Sequence, residues 1–450
     1  MDTQKSKTEP RPRGSGSLPD RTTRIRWLLI FWIFLISAVA YIDRVNISIA
    51  GPDIQKEFHL DNVQLGWVFS AFVLGYAIFQ APGGALADKL GPRKVLGLGV
   101  LWWGIFTALI TALSPAMGSL IVCLIAVRFL LGMGESVVYP ASNCVVASWI
   151  PSTERGIANG LIFTGVGFGA GVTPPLITFL IANYVWRSSF WASACLGVIA
   201  GAIWYLIARD KPSQHPWISP RELTQIARGM DKSQTRHGSK LPWSEILSDG
   251  NIWAVTFSYF TYGYAAYIFF SWFYIYLSKV RHLDIRQSAY FSMLPFLAMA
   301  GGSLLGGWIS DRLTKRYGKR TGRCLLAAAA IALCAIFIGL STQVASAQLA
   351  SVVLAGGAGA LYLSQSSFWS ISADIGKESA GSVSGFMNMG GQIGGALTAS
   401  LTPAIANHFG WTASFLVAAC LCAAGALAWL PVQPEPVPNP LEVTTERNAV

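Results

Sequence analysis

Apolar runs of about 20 residues recur along the chain, and the polar and charged positions gather in the short stretches between them. At 1.5 Å rise per residue, a run of that length crosses the hydrocarbon core of a bilayer as one helix. The runs fall near 27–49, 64–86, 95–113, 118–140, 157–179, 188–208, 251–277, 288–310, 323–341, 347–372, 381–406 and 411–431. They number twelve, in two groups of six, with a polar stretch at 209–250 between the groups. Within that stretch Ser219-Pro220-Arg221-Glu222 has the form of a capping box with Pro at the first helical position, which predicts a short surface helix. The pattern divides the chain into a tail at 1–24, a bundle at 25–208, a central loop at 209–250, a second bundle at 251–431 and a tail at 432–450. Both tails are rich in Pro, Ser and charge and are expected to be disordered.

Composition supports the bilayer reading. Hydrophobic residues make up 53% of 450 residues and charged residues 12%, about half the charged share of soluble globular proteins. Mean hydropathy is +0.47. A soluble fold cannot hide that much apolar surface, whereas lipid accepts it. The expected class is an all-α membrane protein with twelve transmembrane helices in two six-helix bundles.

The net charge of +11 raises nucleic acid as a partner, but its distribution points to topology instead. Of 33 Lys and Arg, 26 fall in segments on one side, five on the other, and Arg44 and Arg128 inside spans. Positive charge collects on cytoplasmic loops, so both termini are expected in the cytoplasm, with no nucleic acid partner. The seven cysteines lie inside apolar runs without a Cys-x-x-Cys pair and read as small core residues, with no disulfide framework and no metal site. The first apolar run continues into YIDRVN without a small-residue cleavage site, so it is read as a retained span rather than a signal peptide.

The two groups of runs repeat one another. GGALADKLG at 83–91 answers GGWISDRLT at 306–314, an offset of 223, and WRSSF at 186–190 answers WTASF at 411–415, an offset of 225. Gly160, Gly165 and Gly169 map onto Gly385, Gly390 and Gly394 at that second offset. Parallel repeats of six spans are the signature of transporters that rock two bundles about a midplane site.

Four charges lie inside spans: Asp43 and Arg44 in the first, Arg128 and Glu135 in the fourth. An ion at the bilayer centre costs roughly 2.5–3.5 kcal/mol on insertion scales, so such residues pair or line a cavity. Arg128, Gly132, Glu135 and Tyr139 share one stripe of the fourth span, and Tyr41, Arg44 and Ser48 share one stripe of the first. Asp43 is turned about 100° from Arg44. An arginine fork matches a carboxylate with two parallel hydrogen bonds, which assigns Arg44 to an anionic ligand. Asp43 and Glu135 are left as proton carriers, because a carboxyl in a nonpolar span can gain and lose a proton near neutral pH. The bland alternative is an Asp43–Arg128 pair that only fixes packing.

Three motifs give a resemblance. YIDRVN at 41–46, SAFVLGYAIFQAPGGALADKLG at 70–91 and RFLLGMGESVVYP at 128–140, set in six plus six spans, resemble the major facilitator superfamily. Within it they are similar to the anion:cation symporter branch of bacterial galactonate, glucarate and hexuronate transporters and animal sialin. The resemblance implies a secondary active transporter of a bacterial inner membrane that imports a small organic anion, such as a sugar acid, with protons. It implies the same roles for Asp43, Arg44 and Glu135, with Arg128 as the partner that tunes the acids. It also places Tyr76, Trp369 and Asn388 at the substrate, with Gln392 one turn from Asn388 and Tyr41 beside Arg44. The sugar-acid branch carries Gln where this chain has Val166, and Trp-x-Pro-x-Tyr where it has Trp272-Phe273-Tyr274-Ile275-Tyr276. Those departures leave a less polar anion open.

Seven aromatic residues of the seventh span, Tyr259, Tyr262, Tyr264, Tyr267, Trp272, Tyr274 and Tyr276, are read singly as interfacial or packing residues. Asp88 and Arg93 on the loop after the second span, with Asp311 at the repeated position, are read as a gate latch across the halves. The glycine-rich 164–171 lacks the Gly-Lys-Ser/Thr of a phosphate loop and is assigned to close helix packing. All five His lie in loops or at span ends, and no Ser/His/Asp or metal-ligand cluster appears, so neither an enzyme nor a cofactor is expected. The partners expected are a small organic anion, protons and lipid, with the chain acting as a monomer. An uncoupled facilitator or exchanger is the alternative within transport, and a membrane receptor or sensor the alternative outside it.

Overall fold

A computed structural model describes residues 22–230, 241–273, 276–283 and 285–434, so most of both tails and residues 231–240 of the central loop lie outside it. Among the described residues every regular element is helical. Helix α1 (Ile25–Phe58) ends where His59 adopts a left-handed conformation and its N–H bonds Gln55 O. Helix α2 (Asn62–Leu90) begins with a capping box in which Gln64 N donates to Asp61 Oδ1 at 2.7 Å and Asp61 N to Gln64 Oε1 at 3.0 Å. It stops at Gly91, whose φ of 89° suits glycine alone, and Pro92 opens α3 (Pro92–Ala112).

The fourth apolar run is not one helix. It divides into α4 (Leu120–Glu135) and α5 (Val138–Trp149). Pro140 has no N–H to give to the carbonyl of Ser136, so the helical ladder fails there and Glu135 becomes the last residue of α4. Helices α6 (Arg155–Asn183) and α7 (Trp186–Ile207) complete the first bundle.

On the central loop, α8 (Pro220–Gly229) forms at the expected start, with Ser219 Oγ accepting from Glu222 N at 3.2 Å. The reciprocal half of the box is missing. The buried Glu222 carboxylate instead accepts from Thr23 Oγ1 at 2.7 Å, Ile25 N at 3.1 Å and Arg26 N at 3.2 Å. It caps α1, whose first N–H groups have no partner within the helix, while the Ser219 amide donates to Thr23 Oγ1 at 2.8 Å.

The second bundle follows a short helix α9 (Trp243–Ser248). It opens with α10 (Gly250–Tyr267), which loosens into π-helical turns at Ile268–Trp272 and Tyr276–Val280 rather than continuing as one α-helix. Then come α11 (Ile285–Tyr317), α12 (Leu326–Ser341), α13 (Ala347–Leu363), α14 (Gln365–Gly376) and α15 (Ala380–Leu427). The break between α13 and α14 at Ser364 repeats the α4–α5 break of the first half. Within α15, Gly410 (φ 83°) separates the eleventh and twelfth spans.

Helix α1 packs on α6 and α3 on α7, while α10 packs on α15 and α11 on α13. The halves meet where α2 lies against α15 and α6 against α11. Both contacts need glycine. A Cβ on Gly84 would stand 1.9 Å from Gly381 O, and one on Gly307 would stand 2.3 Å from Gly156 O. Leu98, Val122, Phe179 and Leu297 project outward, each at least 60% exposed, as a lipid-facing surface requires.

Candidate binding site

A cavity of about 270 Å³ lies between the halves. The α1 stripe of Tyr41, Arg44 and Ser48 forms one wall, as the helical spacing places it. Arg44 Nη2 donates to Glu135 Oε1 at 2.5 Å, with the arginine side chain 16% exposed and the carboxylate at zero. Its guanidinium lies over Tyr76 at 4.4 Å, Tyr41 at 4.8 Å and Phe72 at 5.1 Å. Three ring faces thus pack against the cation. Arg128 also lines the cavity, stacked on Phe72 at 4.7 Å, and its buried Nε and Nη1 have no hydrogen-bond partner.

Asp43 lies off the cavity wall. The turn of 100° from Arg44 sends it toward α3, where Thr107 Oγ1 donates to Oδ2 at 3.0 Å. Arg128, Glu135 and Arg44 all act on Asp43 through their charges. Among the described residues the ion pair within this quartet is Arg44–Glu135, and no direct Asp43–Arg128 pair forms. Spacing places each charge on its stripe but does not reveal which acid meets which arginine.

Tyr76, Trp369, Asn388 and Gln392 all reach the cavity. Trp369 Nε1 and Gln365 Nε2 donate to the Tyr259 hydroxyl at 3.3 and 3.1 Å. The Tyr267 hydroxyl donates to Gln392 Oε1 at 2.8 Å, and Asn388 Nδ2 donates across the halves to Gln80 Oε1 at 2.8 Å. Tyr139 stacks on Phe163, ring centroids 5.0 Å apart, and Trp369 lies 5.1 Å from Phe163. This buried trio packs together in the cavity wall.

Some of these wall residues escape sequence reasoning. Tyr259, Tyr262 and Tyr267, read singly as belt or packing residues, line the cavity together. Gln365, a buried amide beside the α13–α14 break, carries no sequence signal beyond being polar within an apolar run. Val166 stands in the wall as aliphatic surface.

Below the cavity, two acids cap helices of the opposite half. Asp88 accepts from Gly381 N at 2.8 Å, Ser382 N at 2.7 Å and Ser382 Oγ at 2.6 Å at the start of α15, and from Cys144 Sγ at 3.2 Å. Asp311 accepts from Gly156 N at 2.8 Å and Ile157 N at 2.7 Å at the start of α6. Each places negative charge on a helix N-terminus across the seam. Arg93 does not join them. Its Nε donates to Tyr205 O at 2.9 Å, its backbone N–H donates to Asp210, and its guanidinium covers the Tyr205 ring, so it ties α3 to α7 within one half. Cations that cross the seam are instead Arg155, bonded to Asp374 of α14, and Arg323, which bonds Ser152 O of the first half and lies with Nε 3.0 Å from the Asp374 carboxylate. Asn143 Nδ2 to Ser372 Oγ at 3.0 Å and Asn159 Nδ2 to Ser370 Oγ at 3.2 Å add to the seal.

Two repeated helical bundles, a charged cavity between them and a sealed seam on one face together define a polytopic membrane transporter. The family model described as Major Facilitator Superfamily matches residues 33–399 and 377–449, and the chain belongs to that superfamily. A probable sulfoacetate transporter of Cupriavidus necator is 33% identical over 413 residues, covering 91% of this chain and 94% of that protein. A probable galactarate/D-glucarate transporter of Bacillus subtilis is 32% identical over 425 residues, covering 91% of each chain. Among solved structures, a proton:xylose symporter bound to 6-bromo-6-deoxy-D-glucose superposes with a TM-score of 0.72 at 13% identity, covering 91% of this chain and 96% of that one. These relatives are named as transporters, and this chain is one too rather than an enzyme.

Proposed function

We propose that the protein imports a small organic anion together with at least one proton, by alternating access of the two bundles. The observation that carries this reading is the Arg44–Glu135 pair, which sets a cation on the cavity wall and its acid behind it. An incoming anionic group competes with Glu135 for the arginine fork. Once Arg44 turns to the substrate, the buried carboxylate has lost its counter-charge, and a proton neutralises it. Substrate and proton then enter as a unit of low net charge around which the two halves can close. Asp43, held by Thr107 and within the field of Arg128, is the second acid of the cycle.

Tyr41, Tyr76 and Trp369 enclose the substrate's body, with Asn388 and Gln392 completing the wall of the second half. Asp88 and Asp311 release their helix N-termini when the face bearing the chain ends opens. The bundles at 25–208 and 251–431 are the moving parts, joined by the loop at 209–250. The Lys and Arg bias supports a cytoplasmic location for that face and both termini, and the bacterial relatives support a bacterial inner membrane. Each chain holds its own cavity, so the working unit is a monomer.

Names of relatives agree with the anion, since sulfoacetate, galactarate and glucarate all carry acid groups that ionise. Uptake of labelled organic acids into liposomes, with and without an inside-alkaline pH gradient, tests the coupling. Accumulation above the external concentration is expected only with the gradient. Equal uptake in both conditions would replace the symporter with a facilitator or exchanger.

A further inference from the structure

Several hydrogen-bonding groups of the cavity wall are turned toward one another. The Tyr259 hydroxyl takes two donors, from Gln365 and Trp369. Gln392 Oε1 accepts from Tyr267, and Asn388 Nδ2 is spent on Gln80. Tyr139 shares its hydroxyl with Ser37 at 2.9 Å. The rest of the wall is mostly ring and hydrocarbon, Phe72, Tyr76, Phe163, Val166, Phe270 and Trp369, with Ser48 and the hydroxyl-bearing rings of Tyr41, Tyr262 and Tyr362 among them. Arg44 and Arg128, both stacked on Phe72, supply the positive charge. The volume of about 270 Å³ sits at the small end of ligand pockets, roughly 300–1,000 Å³.

Beyond those few hydroxyls, a polyhydroxylated acid would have to break these internal bonds or leave its own hydroxyls without partners, and either loses affinity. A flat ring loses nothing, because it exchanges water for stacked and edge-on ring contacts. We propose that the substrate is an aromatic carboxylate, its ring among the wall aromatics and its acid group on Arg44. Gln365 Oε1 is buried without a partner, so one donating ring substituent is accommodated. The proposal rests on the organic-anion reading above and narrows it.

Titration calorimetry of the purified full-length protein tests it with benzoate and phenylacetate, cyclohexanecarboxylate, galactarate and glucuronate, and the uncharged benzamide and phenylacetamide. The aromatic acids are expected to bind at least about tenfold more tightly than the sugar acids and about threefold or more tighter than the saturated ring. Neither amide should bind. Sugar acids binding as tightly as the aromatic acids, or cyclohexanecarboxylate matching benzoate, would overturn the aromatic class and leave the organic-anion reading standing. Amides binding as well as their acids, or no acid binding at all, would overturn both.

Discussion

Arg44 of α1 and Glu135, the last residue of α4, form a hydrogen-bonded ion pair of 2.5 Å in which the arginine faces the cavity and the carboxylate is fully buried. Such a pair is held by geometry more than by net stability, because desolvating both charges cancels much of their attraction. Replacing one partner by another anion therefore costs little, whereas removing one without replacement leaves an expensive buried charge. That asymmetry is what a coupled transporter needs at the point where substrate and proton meet.

Arg44→Lys keeps the charge but cannot offer a substrate acid the two parallel hydrogen bonds of a planar fork. Losing one charge-assisted hydrogen bond of about 1.5–3 kcal/mol weakens substrate binding roughly 10- to 150-fold. Calorimetric affinity of the variant decides the matter, and an unchanged value would place the anion site elsewhere.

Glu135→Gln imitates the protonated acid permanently. Counterflow exchange of labelled for unlabelled substrate in liposomes should persist and lose its pH dependence, while accumulation driven by a pH gradient disappears. Full accumulation by this variant would shift coupling to Asp43.

Asp88→Ala removes the cap on α15 and the acceptor for the Cys144 thiol. Loss of a helix cap costs about 1–2 kcal/mol, which raises the open population at that face about 5- to 30-fold. In a variant retaining Cys144 as its sole cysteine, maleimide should alkylate Cys144 faster by a similar factor, followed by mass spectrometry. An unchanged rate would mean that Asp88 does not hold the seam shut.

Glu222→Ala leaves the first N–H groups of α1 without their acceptor. The expected loss is about 1–2 kcal/mol, seen as a lower Tm in a thermal melt, with Glu222→Gln falling between the two. Substrate affinity should be unaffected, because neither Glu222 nor the groups it caps line the cavity. A Tm equal to the native protein's would show that water satisfies those groups as well.

The spans were legible in the sequence because lipid permits little else: an unpaired backbone in hydrocarbon is so costly that each crossing must be an apolar helix of about 20 residues. The four intramembrane charges stood out for the same energetic reason, and the internal repeat marked the two bundles. Periodicity also fixed the angular position of each side chain on its own helix, which is why the stripe of Tyr41 and Arg44 faces the cavity and Asp43 turns to Thr107. Only the packed structure decided how the helices rotate against one another. It pairs Arg44 with Glu135, turns Tyr259, Tyr262 and Tyr267 to the cavity, keeps Arg93 within its own half and sends Arg155 across to Asp374. Those outcomes depend on contacts between residues some 90 to 220 positions apart, set by close approaches such as Gly84 against Gly381, and no period along one helix encodes the rotation of its neighbour.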